Sequence, residues 1–312
     1  MSLLDIRNLS KTFPGPQGRK VQAVSDVSLT LAEGEVLGIV GESGCGKSTL
    51  GRALLRLIEP SGGQVLFRGA DITQLSRRAM RAVRGDMQIV FQDPYGSLNP
   101  RHRVRSIIAE PLVVQGNVSR AKQLERVAEV LALVGLDPSA ADRYPHEFSG
   151  GQRQRIAIAR AISLNPRLIV ADEAVSALDV SVQSQIINLI ADLRRRLNLS
   201  LIFISHDLSV IRHVSDRVAV MYLGRIVETG PTEALMEAPQ HPYSQALLSA
   251  IPRPGETRRR IPLAGEVPDP ANPPPGCAFH TRCPHVMDIC RKVRPELKPK
   301  DQHREVACHL YD

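Results

Sequence analysis

The chain has 312 residues, of which 43% are hydrophobic and 4% aromatic, and it carries a formal net charge of +8. This length suits one large domain with an appendage. The sequence lacks tryptophan, so a stacking platform for single-stranded nucleic acid is not expected. No apolar run approaches the roughly 18 residues that a membrane span requires, and the N-terminus lacks the apolar core of a secretory signal. We therefore expect a chain that is neither exported nor integral to a membrane.

The N-terminal part of the chain is predicted to form antiparallel strands. Apolar residues recur in short alternating patterns between residues 3 and 31, on both sides of a turn rich in Pro, Gly and Lys at residues 14–20. Phe13 stands just before this turn, where its ring is a candidate to stack on an adenine base. An isolated aromatic side chain more often belongs to a core, so the residues alone leave both interpretations open.

A glycine-rich loop follows the apolar run from Val36 to Val40 and precedes a helix-forming run that begins at Leu50. The loop matches the pattern G-x-x-x-x-G-K-[ST]. Its glycines let backbone N–H groups turn toward phosphates at a helix N-terminus. Lys47 supplies a positive charge for the outer phosphates, and the Ser48 hydroxyl is a ligand for Mg²⁺. The predicted nucleotide-binding residues are Gly41, Glu42, Ser43, Gly44, Cys45, Gly46, Lys47, Ser48 and Thr49.

Gln92 marks the end of the next apolar strand. The run from Met87 to Phe91 is rich in β-forming residues, and a loop with Pro, Gly and Asn follows at residues 93–100. A glutamine in this position can reach a metal ion or a water molecule, and a polar strand end is the simpler alternative. Farther on, the period of apolar residues predicts a helical region from Arg105 to Gly135.

A second anion-binding helix N-terminus is predicted near the middle of the chain. A helical run from Arg153 to Ser163 directly follows a serine, two glycines and a glutamine. Such a sequence presents backbone N–H groups to a negatively charged ligand. A single phosphate-binding loop does not require two such helix ends. The residues are Ser149, Gly150, Gly151 and Gln152.

Two carboxylates follow the continuous apolar run at residues 168–171, which predicts a strand buried on both faces. Ligands of open α/β sheets bind at the C-terminal ends of parallel strands. Asp172 is predicted to hold Mg²⁺ through water and Glu173 to polarise an attacking water. Asp179 follows in a short loop. The next apolar strand ends at His206, which is placed to contact a γ-phosphate, although a lone histidine is more often structural.

The C-terminal part of the chain changes character after a hairpin predicted around Leu223 and Gly224. Eight of the 23 prolines lie between residues 251 and 276, which indicates a semi-extended linker. Four of the five cysteines follow with the spacing C-x5-C-x6-C-x17-C. They suit a [4Fe–4S] cluster; zinc with His280, His285, His303 or His309 as a substitute ligand, or burial as small apolar groups, are the alternatives. The cysteines are Cys277, Cys283, Cys290 and Cys308.

In this order and spacing, the motifs resemble those of the ATP-binding cassette (ABC) family of transport ATPases over about residues 3–250. The resemblance implies an α/β P-loop fold that has a mixed-sheet core with a RecA-like lobe, an antiparallel β subdomain and a helical subdomain at about residues 95–165. It implies a nucleotide-binding domain at residues 1–250 and a Pro/Cys-rich extension at residues 251–312. One departure is Ala174, where the family usually has proline, and slight loosening near Glu173 is expected from it.

The resemblance also implies roles for the motif residues. Lys47, Glu173 and His206 would act in ATP hydrolysis, and Ser48, Gln92 and Asp172 would hold Mg²⁺. Two cassettes would pair head to tail, so that the signature of one chain caps ATP held by the other. The residues that would contact ATP are Phe13, those of the Walker A loop from Gly41 to Thr49, Gln92, the signature from Ser149 to Gln152, and Asp179.

Finer features resemble the ATPase subunits of dipeptide and oligopeptide importers, most of all the second subunit of a heterodimeric pair. They are the segment at residues 91–100, His241-Pro242-Tyr243 and the tail at residues 272–308. This implies two transmembrane permeases, an extracytoplasmic peptide-binding protein, no nucleic acid partner, and a peripheral position on the cytoplasmic face of the inner membrane. It also points to the [4Fe–4S] cluster. Importers of nickel or glutathione remain alternatives, as does a soluble ABC ATPase that acts on ribosomes or DNA.

A basic region is the candidate docking face for a membrane subunit. It extends from Arg77 to Pro111 and surrounds Gln92, which would couple the nucleotide to the permease. A solvated charged face is the alternative interpretation.

Overall fold

The computed structural model describes residues 2–15, 18–116, 118–250, 261–263, 265–301 and 303–312. Residues 251–260 and 264 of the proline-rich linker predicted at residues 251–276 lie outside these residues. The helices and strands, in chain order, are β1 (Ser2–Pro14), β2 (Lys20–Ala32), β3 (Val36–Val40), α1 (Lys47–Leu54), β4 (Gly62–Phe67), β5 (Ala70–Asp71), α2 (Arg77–Asp86), β6 (Met87–Val90), α3 (Pro94–Ser97), α4 (Val104–Gln115), α5 (Arg120–Leu133), α6 (Gly150–Ile162), β7 (Leu168–Asp172), α7 (Val180–Leu197), β8 (Ser200–Ile204), α8 (Leu208–Val214), β9 (Arg217–Tyr222), β10 (Arg225–Pro231), α9 (Thr232–Glu237), α10 (Pro242–Ser249), β11 (Lys298–Pro299) and β12 (Glu305–Val306).

The chain forms two compact units, which we call the loop unit and the helical unit. The loop unit comprises Ser2–Leu31, Val36–Thr73 and Ser205–Asp312, and the helical unit comprises Ala32–Glu35 and Gln74–Ile204. These units follow the density of contacts, so the domain border predicted at residue 250 stays a prediction.

An antiparallel sheet in the loop unit has the strand order β2-β1-β4-β5. In its register, Leu4 lies opposite Phe67 and Ile6 lies opposite Val65. All four side chains are buried, as expected when alternate residues of paired strands share one face. This sheet is the antiparallel β part that the sequence predicted between residues 3 and 31.

A mixed sheet in the same unit has the strand order β11-β12-β10-β9-β3. Strand β3 pairs in parallel with β9, and β9 pairs antiparallel with β10 across the turn at Leu223 and Gly224. The hairpin predicted there is confirmed. Every residue of β3 is buried, which matches its continuous apolar sequence.

The helical unit holds the parallel strands β6, β7 and β8, with β7 in the middle. Helix α6 packs against β6 and α7, and its buried face includes Ile158 and Ile162. Helix α7 buries Ile190 and Leu193. The apolar core of this unit therefore fixes the C-terminal end of β7, where Asp172 stands.

The helical region predicted from Arg105 to Gly135 is divided into α4 and α5. Helix α4 ends at Gln115, and Gly116 has a φ of 80°. Ser119 then caps α5 by accepting a hydrogen bond from the N–H of Lys122 at 3.4 Å. A glycine in the left-handed region and a following serine cap are the usual helix stop and start, and they override the apolar period.

Within the part of the chain that the structure describes, no helix is long and apolar enough to cross a membrane.

Candidate functional site

The phosphate loop connects buried β3 to α1 in the loop unit. Gly46 has a φ of 104° and is the residue immediately before α1. A Cβ at this position would collide with the backbone oxygen of Ala23. Glycine is therefore required at position 46 for two reasons: the left-handed conformation, and the close approach of the backbone at Ala23. A larger residue would allow neither.

Lys47 is held inside this loop. Its Nζ donates to the carbonyl oxygens of Gly41 at 2.8 Å and Glu42 at 2.9 Å, and lies 3.8 Å from Sγ of Cys45. The side chain is buried. Burial also raises the pKa of the Cys45 thiol, so this cysteine stays protonated and unreactive. The ammonium group is thus fixed at the centre of a loop whose fold suits phosphate binding.

Glu42 is bonded by two residues from the C-terminal quarter of the chain. Its backbone N–H donates to the hydroxyl oxygen of Tyr243 at 2.8 Å. Its two carboxylate oxygens accept from both terminal nitrogens of Arg282, at 2.7 and 3.1 Å. The bonds to Glu42 raise the pKa of Arg282, with a further contribution from Tyr222. All three polar groups of Glu42 therefore have partners, because its carbonyl also accepts from Lys47.

An aromatic cluster supports this contact. The ring of Phe279 lies 5.3 Å from that of Tyr222 and 5.5 Å from that of Tyr243, measured between centroids. It also lies 5.7 Å from the ring of His241. Phe279 is 1% exposed. The cluster buries the start of the C-terminal extension against the residues that reach the phosphate loop.

His241 explains why the sequence His241-Pro242-Tyr243 is placed here. Its Nδ1 accepts from the N–H of Tyr243 at 3.0 Å and so caps α10, with proline at the first helical position. The backbone N–H of His241 donates to the buried carboxylate of Glu228 at 3.0 Å. Because the imidazole is fully buried, its pKa is lowered to about 3.

The carboxylates of Asp172 and Glu173 lie at the end of β7 in the helical unit, as predicted. Asp172 is 2% exposed. Glu173 has a φ of 49°, an uncommon left-handed conformation for this residue type. Its N–H donates to the carbonyl of Ile204 at 3.0 Å, which fixes the turn. Ala174 is buried, and the loosening expected from it stays a prediction.

Gln92 approaches Glu173 across the parallel sheet of the helical unit. Its Nε2 donates to Oε2 of Glu173 at 3.0 Å and to Oγ of Ser176 at 3.3 Å. The two residues are 81 positions apart in the chain. The sequence placed each at a strand end, and the structure brings the two side chains together.

Ser149 and Gln152 form a capping box at the start of α6. The N–H of Gln152 donates to Oγ of Ser149 at 3.3 Å, and the N–H of Ser149 donates to Oε1 of Gln152 at 3.0 Å. Both residues are exposed. The helix begins at Gly150, three residues before the predicted start at Arg153. Its N-terminus therefore faces solvent, where a ligand has access to it.

The remaining predicted site residues lie on exposed or partly exposed positions. Asp179 is exposed and precedes α7, and His206 is exposed two residues after the end of β8. Phe13 is half-buried on β1, with Nζ of Lys11 4.9 Å from its ring centroid. Each of these residues has the place in its own unit that the sequence indicated, and their roles toward a nucleotide stay predictions.

The four C-terminal cysteines are free thiols. Burial raises the pKa of Cys277 to about 11, and the electrostatic influence of Cys290, Cys308 and Cys283 adds to this shift. The backbone N–H of Cys277 donates to the carbonyl of Cys290 at 2.8 Å. Among the residues that the structure describes, no group of three or more His, Cys, Asp or Glu side chains is arranged to hold a metal ion. The predicted metal site is therefore not formed as such in the structure.

Tyr243 and Arg282 are site residues that the sequence did not reveal as such. The triplet at residues 241–243 resembles a feature of one family branch, and its sequence does not indicate a contact with the phosphate loop. Arg282 lies 240 positions from Glu42 and belongs to no motif. The composition of the Pro/Cys-rich extension does not predict that one of its residues contacts the phosphate loop.

Comparisons with known proteins agree with this geometry. Residues 24–176 match the model of the ABC transporter family, and residues 227–290 match the oligopeptide/dipeptide transporter C-terminal region. The chain is 56% identical to the oligopeptide transport ATP-binding protein AppF of Bacillus subtilis, over 99% of this chain and 98% of the relative. It is 54% identical to a probable peptide ABC transporter ATP-binding protein, y4tS of Sinorhizobium fredii, over 99% and 90% of the two chains.

Solved structures share the fold of about three quarters of the chain. The cbiO1 protein of Clostridium perfringens, part of the ABC transporter complex cbiONQ, superposes with a TM-score of 0.67 at 28% identity, over 76% of this chain and 91% of that one. The bacterial ABC transporter cassette MJ0796, solved as a dimer, superposes with a TM-score of 0.66 at 28% identity, over 73% and 98%.

Proposed function

Since this chain belongs to the ABC transporter family and has the P-loop ATPase fold of its cassettes, we propose that it is the ATP-hydrolysing subunit of a peptide importer. The observation that carries the proposal is the match over nearly the whole chain, at 56% identity, to a relative named as an oligopeptide transport ATP-binding protein. The C-terminal region at residues 227–290 supports it, because that region is described for oligopeptide and dipeptide transporters.

The proposed chemistry is ATP hydrolysis by positioning and charge neutralisation, as in other phosphoryl transfers. Lys47 and the N–H groups of the phosphate loop would hold the phosphates. The hydroxyl of Ser48, the amide oxygen of Gln92 and the carboxylate of Asp172 would hold Mg²⁺. Glu173 would orient and polarise the attacking water, and His206 would contact the γ-phosphate.

Gln92 is proposed to couple the state of Glu173 to the permease through a hydrogen bond that a ligand can break. Its Nε2 donates to the carboxylate that would activate water. A ligand that draws the amide of Gln92 away would free Glu173, and the loop that follows Gln92 would move with it. The basic region from Arg77 to Pro111 is our proposed docking face for the permease, so that hydrolysis and transport are coupled at one residue.

The exposed start of α6 supports a pairing of two cassettes. Ser149 and Gln152 of the signature are exposed, as is Asp179. In a head-to-tail pair they would cap ATP held by the other chain, and ATP would act as the contact between the two. We propose a heterodimer with a second ABC ATPase, bound to two permeases and fed by an extracytoplasmic peptide-binding protein, on the cytoplasmic face of the membrane.

The test is affinity purification of the full chain from mildly solubilised native membranes, followed by identification of its partners and of peptide-stimulated ATPase activity. Two permeases, a second cassette and a peptide-binding protein are the expected partners. A Lys47→Ala variant purified in parallel should retain the partners and lose the activity. Recovery of ribosomal or DNA-bound factors without an integral membrane protein would contradict the transport function.

The identity of the solute is tested separately. Binding of peptides, Ni²⁺ and glutathione to the recovered binding protein should give affinity for peptides alone. A binding protein that prefers Ni²⁺ or glutathione would agree with the importer function but would contradict peptides as the substrate.

We further propose that Cys277, Cys283, Cys290 and Cys308 hold a [4Fe–4S] cluster. The backbone N–H of Cys277 donates to the carbonyl of Cys290 at 2.8 Å, which brings two of the four cysteines close together and supports this proposal. Bound, the cluster would crosslink a tail too small to fold alone.

Iron, acid-labile sulfide and zinc should be measured on full chain purified without oxygen. Four irons per chain and a brown colour are expected, and Cys290→Ser should lose both while Cys45→Ser keeps them. Colourless protein with stoichiometric zinc, or with no metal, would overturn the cluster.

A further inference from the structure

The contact between Arg282 and Glu42 joins the C-terminal extension to the phosphate loop. The guanidinium nitrogens lie 2.7 and 3.1 Å from the two carboxylate oxygens, a two-point contact. The side chain of Arg282 is 4% exposed and that of Glu42 is 25% exposed. A pair with this geometry and partial burial is stronger and more directional than an ion pair on the surface.

The extension is fixed by more than this pair. Phe279 lies three residues before Arg282 and is buried in the cluster with Tyr222 and Tyr243. The hydroxyl oxygens of both tyrosines also touch the contact: that of Tyr243 accepts the N–H of Glu42 at 2.8 Å, and that of Tyr222 lies 3.5 Å from Nη1 of Arg282. The position of the guanidinium is therefore determined by packing and does not depend on Glu42 alone.

The charge of Glu42 is the reason that such a contact matters. Glu42 lies inside a loop whose shape suits a triphosphate, and a bare carboxylate there would repel the phosphates. Lys47 donates to the carbonyl of Glu42 and does not pair with its carboxylate. The guanidinium of Arg282 supplies the compensating charge from outside the loop.

We propose that Arg282 is a positioning residue for nucleotide binding: it holds and neutralises Glu42, so that the affinity of the phosphate loop for ATP depends on the C-terminal extension. The inference rests on the proposed function insofar as the loop binds ATP. Beyond that function, we infer that Arg282 of the extension, which lies outside the cassette motifs, compensates the negative charge of the Glu42 carboxylate in the loop.

The experiment measures binding of a fluorescent ATP analogue with Mg²⁺ to the full chain, for single and double variants. Arg282→Ala should raise Kd about tenfold, as expected for loss of a charge-assisted hydrogen bond pair. Glu42→Gln, measured alone, gives the reference Kd for a loop without the carboxylate. The double variant Glu42→Gln/Arg282→Ala should bind better than Arg282→Ala alone, because the uncompensated carboxylate is gone. Arg291→Ala, an exposed arginine on the same extension, is the matched control.

Further measurements separate positioning from a loss of structure. In the assembled transporter, Arg282→Ala should raise KM for ATP and leave kcat within about threefold of wild type, because Arg282 does not contact the reacting atoms. Its defect in Kd should shrink as salt is raised from about 0.05 to about 0.5 M. Thermal denaturation of each variant records any loss of folding, and Arg282→Lys should recover part of the affinity.

The proposal is overturned if Arg282→Ala leaves Kd unchanged, or if the double variant binds no better than Arg282→Ala. Either result, obtained while wild-type chain binds Mg²⁺-ATP, removes the role of Arg282 and leaves the ATPase function in place. Failure of the wild-type chain to bind Mg²⁺-ATP would instead overturn the proposed function.

Discussion

The amide nitrogen of Gln92 donates to Oε2 of Glu173 at 3.0 Å, between the ends of two strands of one parallel sheet. Neither side chain is buried, and Glu173 is held in a left-handed turn with a φ of 49°. The carboxylate proposed to activate water is thus oriented by a residue whose following loop is the proposed link to a membrane subunit. This pair gives the first two predictions.

Glu173→Gln is expected to abolish turnover and to leave ATP binding intact. Glutamine keeps the shape of the side chain and loses the negative charge, so it cannot polarise a water. A general base contributes about 10²- to 10⁴-fold to the rate. Phosphate release by the assembled transporter, with Glu129→Gln on the exposed face of α5 as a control, measures the loss. ATP-dependent pairing of two chains should persist, and normal hydrolysis by the variant would remove the role given to Glu173.

Gln92→Glu is expected to move the acid limb of the pH–rate profile to higher pH. A second carboxylate beside that of Glu173 adds repulsion between like charges, which favours protonation of the pair at low pH. Glu173 must be ionised to act as a base, so activity at low pH falls more than activity at high pH. Values of kcat/KM between about pH 5 and about pH 9 measure the shift. An acid limb that stays in place while activity falls uniformly would show that Gln92 acts on another group.

The sequence was sufficient for the parts of the site that lie at strand ends. The apolar run at residues 168–171 predicted a buried strand, and the structure has it as β7 with Asp172 at its end. The pattern of the phosphate loop predicted its place between β3 and α1. In both cases a short stretch of adjacent residues determines the structure. A continuous apolar run determines a strand that is buried on both faces, and the glycine pattern determines a phosphate-binding loop.

The sequence was insufficient where the cause is distant or conformational. The bond between Arg282 and Glu42 joins residues 240 positions apart, and no local period reports it. The end of α4 at Gly116 was not predicted, because apolar residues follow the helical period on both sides of this glycine. The left-handed turn at Glu173 depends on its bond to Ile204, a residue of the neighbouring strand.

The second glycine of the signature gives a prediction about stability. A Cβ on Gly151 would collide with Cγ1 of Val182 on α7, whereas one on Gly150 would lie 3.6 Å from Leu178, an ordinary contact. Gly151→Ala should lower the free energy of unfolding by about 1–3 kcal/mol, as overpacking does. Gly150→Ala is the matched control and should be neutral or stabilising. Chemical denaturation measures both.

Relief of the collision provides the check on this cause. Val182→Ala introduced together with Gly151→Ala should recover most of the lost free energy of unfolding, because the two positions are in contact. A double variant that is less stable than either single one would mean that the collision with Val182 is not the cause of the loss.

His241 is the buried group with the clearest consequence for pH dependence. It lies among Phe279, Tyr243 and the carboxylate of Glu228, whose pKa is raised by burial. The pKa of His241 is lowered to about 3, so the folded chain binds this proton less readily than the unfolded chain. The stability that neutral His241 supports is complete above its ordinary pKa of about 6.5 and is lost as pH falls toward about 3. Glu228 acts in the opposite sense, and its contribution is lost as pH rises through its raised pKa.

His241→Asn is expected to flatten the loss of stability at low pH. Asparagine retains an oxygen that can cap α10 by accepting the N–H of Tyr243, and it does not titrate. In wild type, His241 should contribute a fall of about 1.4 kcal/mol in the free energy of unfolding per pH unit below about pH 6.5. Denaturation between about pH 5 and about pH 7.5 compares the slopes, and His213→Asn, at an exposed position, should keep the wild-type slope. Equal slopes for wild type and His241→Asn would mean that another group governs the acid sensitivity.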